Sequence, residues 1–113
     1  MELIAYKNDP KLKKLMVAEV RRHEKLDMIL KGTYGKENGT WKGCAVGCSI
    51  HSLNVRLGKT LSTSDHTVYE TELGISQTLA RVEDILFEGM SDKDSKKFPA
   101  RFVSAVPVGI EDY

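Results

Sequence analysis

Two cysteines in 113 residues, only four positions apart, cannot supply a disulfide framework. Their scarcity makes a reducing compartment, the cytoplasm, the expected location. No apolar run approaches the roughly 20 residues that a membrane helix needs, and no membrane partner is expected. The opening residues, Met1 to Lys7, are too few and too polar for a secretory signal. An excess of charge of one sign is also lacking. The formal net charge is +1, which gives no general attraction to nucleic acid. No internal repeat and no low-complexity tract is visible. No complete catalytic motif is present, so the sequence names no reaction.

What is present suits one globular domain over residues 1–113. Hydrophobic residues make up 41% and charged residues 29%, the balance of a soluble chain with its own core. The near-zero charge hides an asymmetry. Residues 1–59 carry 12 Lys and Arg against 6 Asp and Glu, whereas residues 60–113 carry 5 against 10. Such a split suits two solvated faces, and it also allows attraction between copies and hence a homo-oligomer.

The periodicity predicts an all-α fold, a compact bundle of about five helices. Asp9 and Pro10 form a cap and first turn, and apolar residues recur at helical spacing from Leu12 to Leu30, with Gly32 as the stop. His23 falls on or beside this stripe. A tiny hairpin is expected over 33–41, turning at Asn38-Gly39, with Trp41 packed over the edge of the core. A helix from Cys44 to Leu53 follows, then a polar connection over 54–64. Ser64 or Asp65 caps a short helix ending at Leu73-Gly74. Ser76 caps the next, through Glu88, with Leu79, Val82, Ile85 and Leu86 as its inward face. Ser91 with Asp94 makes a capping-box pattern, and Pro99 starts a last helix that buries Phe102, Val103 and Val106. No βαβ rhythm appears.

The run Glu72 to Glu83, with its Gly74-Ile75-Ser76 turn, resembles the helix-turn-helix of DNA-binding repressors. That motif needs small or apolar residues where this chain has Glu70, Ala80 and Glu83. Two carboxylates at a helix contact cost several kcal/mol if unpaired. Glu83, Asp84 and Glu88 against Arg81 would also repel phosphate. An ordinary helix corner is therefore expected, and no direct DNA readout.

The cysteines and histidines form the second set of candidates. Cys44 and Cys48 share a helix face, with His51 one turn on, and His66 and Glu70 are also four apart. A zinc ion could take ligands from several helices. The order His23, Cys44-Ala45-Val46-Gly47-Cys48, His66 resembles the zinc-binding domains of bacterial chemoreceptors, which are four-helix bundles. The departures are Glu70 in place of the second histidine, and Glu24 and Lys25 where an aromatic would follow His23. The resemblance spans residues 23–70. It implies a zinc-linked regulatory role with His23, Cys44, His66 and Glu70 as ligands. The same residues are also read as a packed core, since free Cys behaves as a small hydrophobe. A third reading makes Cys44 a nucleophile, because a helix N-terminus lowers a thiol pKa.

A ligand reading uses the same helix start. Lys42 and Gly43 precede amides that could meet an anion, Tyr34 and Trp41 could stack on a base, and Arg56 and Lys59 could reach a phosphate. The stretches Lys42 to His51, Tyr69 to Ile75, Leu79 to Asp84, Phe87 to Gly89 and Pro99 to Phe102, with His66, also resemble small proteins encoded in phage and bacterial genomes. That resemblance implies an accessory protein that counters host defence by binding. The expected function is therefore non-enzymatic capture of a small nucleotide-like ligand or blockade of a host protein.

Overall fold

Asp9 and Pro10 start the first helix as their chemistry requires. The Asp9 carboxylate accepts from Lys11 N at 2.9 Å, and proline occupies the first turn, where its missing N–H costs nothing. The structure is a computed structural model that describes residues 3–33, 36–38 and 40–112. Its elements in chain order are β1 (Leu3–Ile4), α1 (Pro10–Lys25), β2 (Lys36–Asn38), β3 (Thr40–Lys42), α2 (Ala45–Leu57), α3 (Val68–Leu73), α4 (Gln77–Gly89), α5 (Asp92–Ser95), α6 (Phe98–Ala105) and β4 (Glu111–Asp112). The fold is all-α, with α5 a single turn. No helix among the described residues is long and apolar enough to cross a membrane.

The two ends of the described chain meet. Leu3 pairs with Asp112 and Ile4 with Glu111 in an antiparallel ribbon. Between β1 and α1, Tyr6, Lys7 and Asn8 all take left-handed backbone angles, with φ of 53°, 53° and 57°. Asparagine takes these angles readily, but Tyr6 and Lys7 do so at a cost, so other contacts must hold the turn. The buried Tyr6 hydroxyl donates to the Val103 carbonyl of α6, and Ala5 exchanges backbone bonds with Ile110 and Gly109. Gly74, which closes α3 at φ +64°, lies beneath this turn. A Cβ there would fall 2.0 Å from the Ile4 carbonyl oxygen, so only glycine fits.

Helix α1 stops earlier than its periodicity suggests. It ends at Lys25, and Asp27 turns the chain at φ 55°. The continuation is instead claimed by the strand side of the molecule. Gly43 N donates to Met28 O, Leu30 N donates to Gly43 O, and Ile29 forms a parallel bridge with Gly43. Helix α2 runs longer than expected, to Leu57, with Gly58 in the left-handed cap. The connection that follows is pinned, because the Asn54 side chain exchanges two hydrogen bonds with the backbone of Leu61.

The backbone of the expected hairpin is present, with Glu37 opposite Trp41 and Asn38 opposite Thr40. Gly39 of its turn lies outside the described residues. The core is centred on α2, whose Ala45, Val46, Cys48, Ile50 and Leu53 are fully or almost fully buried. Helix α1 packs on it with Met16 and His23, and a second, smaller cluster joins Val20 of α1 to Ala100 and Val103 of α6.

The largest correction concerns α4. Its expected inward face is outward: Ile85 is 70% exposed, Leu86 48%, and Leu79 and Val82 39% each. The buried stripe is Ala80, Glu83 and Phe87, each at 0%. The expectation that a carboxylate would not sit at this helix contact is therefore overturned for Glu83. Tyr69 OH donates to Glu83 Oε1 at 2.7 Å, and burial pushes the Glu83 carboxyl up to about 8. It is neutral at pH 7, which removes most of the cost assigned to a buried charge. Glu70 is used as well, its Oε2 accepting from Gln77 N at the start of α4.

Candidate functional site

The expected zinc ligands do not converge. His23 is 1% exposed and donates from Nδ1 to the Glu19 carbonyl at 2.8 Å. Its ring stands edge-on to Trp41 and His51, with centroids 5.7 and 5.5 Å away. Burial lowers its pKa, so the ring is held neutral. Glu70 is occupied at the α3–α4 turn, as described above. Cys44 and His66 do come together, through a residue that the spacing did not single out. His66 Nε2 lies 2.7 Å from Asp84 Oδ2, and Asp84 lines a small pocket together with Cys44. Among the described residues, no group of three or more His, Cys, Asp or Glu side chains is gathered as a metal ion would need.

The chemistry at Cys44 runs opposite to that expected of a helix N-terminus. Burial, with the negative charge of Asp84 behind it, pushes the thiol up to about 12. Gly47 N donates to Sγ at 3.4 Å and pulls the other way, but less strongly. The acid that lines the pocket with the thiol is Asp84, and the His66 imidazole is bonded to that carboxylate. A general base would have to occupy the position that Asp84 takes. Cys48 is more deeply buried, and its thiol donates to the Gly43 carbonyl.

The expected ligand residues also separate. Tyr34 lies outside the described residues. Trp41 is 8% exposed, and one indole face is covered by the parallel His51 ring at 4.2 Å. Lys42 and Gly43 sit just before α2, whereas Arg56 and Lys59 lie at its far end, about 20 Å away for a helix of this length. Arg56 makes a bidentate pair with the buried Glu19, at 2.6 and 3.2 Å, and Lys59 pairs with Glu72 at 2.8 Å. The α2 amides expected to meet an anion are engaged within the protein, Val46 N by Asp84 and Gly47 N by Cys44.

Among the exposed aliphatic side chains of the described residues, four lie together on the outer face of α4. Leu79, Val82 and Leu86 follow one another at i, i+3 and i+7, with Ile85 beside them, and form a continuous apolar stripe. The helix is firmly placed beneath it. Ser76 Oγ accepts from Leu79 N, Phe87 is in the core, and Glu83 is bonded to Tyr69. At its N-terminal end the stripe runs into a groove of about 730 Å³ whose walls include Ile75, Leu79, Arg81, Val106 and Ile110. The periodicity did mark these side chains, but as core. A second stripe at the same spacing, Ala80, Glu83 and Phe87, was the signal of a competing orientation. No protein-family model, curated protein or solved structure matches the chain.

Proposed function

We propose that this is a non-enzymatic binding protein that works through protein–protein contact, with the outer face of α4 as its contact element. The observation that carries the reading is the orientation of α4. Four aliphatic side chains face outward while Glu83 and a half-buried Asp84 face inward. Outward aliphatic side chains that follow one another along a rigid helix are the kind of surface that a protein partner covers. The neutral, buried thiol of Cys44 supports the non-enzymatic part of the reading. Blockade of a host protein, which the likeness to phage-encoded proteins implies, is one form such contact takes. Protein contact is favoured over a nucleotide-like ligand because the described residues expected to hold that ligand sit at opposite ends of α2.

The test is a photo-reactive amino acid placed at Ile85 in the expressed chain, with the exposed Lys14 of α1 as control. Irradiation in cells is expected to give discrete protein adducts from position 85 and none from position 14. A folded protein that gives no protein adduct at 85 would overturn the reading.

A further inference from the structure

We infer that the occupant of the α4 face is a second copy of this chain, with the two α4 helices paired antiparallel about a two-fold axis near Ile85. The inference rests on the protein-contact reading of that face and names its partner. Two ridges cross the exposed surface. One holds Leu79, Val82, Leu86 and Gly89, and the other holds Arg81, Ile85 and Glu88. Val82, Ile85 and Leu86 thus lie between a cation toward the N-terminal end and a carboxylate toward the C-terminal end.

This order is self-complementary in one orientation only. In an antiparallel pair, facing residue numbers have a nearly constant sum. Placing Val82 against the partner's Leu86 brings Arg81, to within about one residue, against the partner's Glu88. The same register sets Leu79 over the partner's Gly89. A Cβ at Gly89 would meet nothing within 4 Å, so the space above it is open to a neighbouring side chain. Ile85, the most exposed of the aliphatic residues, falls beside the axis and is covered from both sides. A parallel pair would instead set Arg81 against Arg81 and Glu88 against Glu88. Glu88 retains an oxygen for this contact, since only Oε1 accepts from Gly32 N.

The helix stripe alone is smaller than the roughly 800 Å² per partner of a standard interface. The adjoining groove adds to it. It extends the apolar surface from Leu79 to Val106 and Ile110, on the side that the C-terminal end of the partner's α4 crosses. Two-fold pairing therefore covers the stripe and the groove together.

Sedimentation velocity of the full chain, from micromolar to sub-millimolar concentration, tests the inference. A dimer is expected. Arg81→Glu and Glu88→Arg should each raise the dimer dissociation constant by about tenfold, by setting like charges together. The double variant should recover the wild-type value. Both side chains are exposed, and circular dichroism confirms that each variant is folded. A chain that stays monomeric throughout, or a double variant that does not recover, overturns the antiparallel pair. If the chain is monomeric while the probe at Ile85 captures a different protein, self-pairing fails and the contact reading stands. Monomer without any adduct overturns both.

Discussion

Replacing Glu83 by Gln should change how the stability of this protein depends on pH. The Glu83 carboxyl has 0% exposure, one oxygen bonded to Tyr69 and the other, Oε2, without a hydrogen-bond partner. Burial is the main cause that raises its pKa from 4.5 to about 8, and the nearby Asp84 carboxylate adds to it. The folded state therefore holds a proton that the unfolded chain releases between these values. Its contribution is fully present below pH 4.5 and is lost as pH rises to about 8. The shift corresponds to about 5 kcal/mol across that window, or about 1.4 kcal/mol per pH unit. That is comparable to the whole stability of many small domains. Gln keeps the acceptor for Tyr69 OH and removes the titration. Urea unfolding of both proteins between pH 5 and 8.5, followed by circular dichroism, measures the difference. The variant should gain on the wild type steadily with pH, by several kcal/mol at the alkaline end. Groups that do not interact with Glu83 titrate equally in both chains and cancel. Parallel stability curves would refute a buried neutral Glu83.

Two further outcomes test the fold and the thiols. Gly74→Ala should cost about 3 kcal/mol or more, because a Cβ collides with the Ile4 carbonyl. Gly58→Ala has the same φ of +64° in open space and should cost only about 1 kcal/mol, so equal losses in urea unfolding would contradict the packing beneath the Tyr6 turn. Burial pushes the Cys44 thiol up to about 12 and raises Cys48 well above the ordinary cysteine value, so neither is appreciably ionised at pH 7. Both should react with Ellman's reagent far more slowly in the folded protein than in urea. A fast-reacting thiol in the folded protein would revive a nucleophilic role.

Local chemistry was legible from residue order alone. Asp9-Pro10, Ser76 and Ser91 are caps in the structure because a short side-chain oxygen satisfies an amide two or three residues on, whatever lies elsewhere. Gly74 closes α3 for a similarly local reason, its left-handed φ. The candidate site was legible only in pieces. Cys44 and His66 were singled out, but Asp84, which joins them, reads in sequence as one more acid on a solvated helix. His23 was placed on the apolar stripe of α1, and its Trp41 and His51 neighbours come from segments 18 and 28 residues away.

By itself, then, the sequence determined the helical class, the caps and the turns, because those depend on contacts within a few residues. Tertiary structure decided where α1 stops, since the backbone of Met28 to Leu30 bonds to Gly43 instead of continuing the helix. It also decided which side of α4 faces inward. Two stripes on that helix have helical spacing, and the more apolar one would win on local pattern alone. The carboxylate stripe is buried because Tyr69 meets Glu83, Asp84 meets His66 and Cys44, and Phe87 fills the core. A stripe's burial free energy depends on the surface that receives it, and that surface is built from residues distant in the chain.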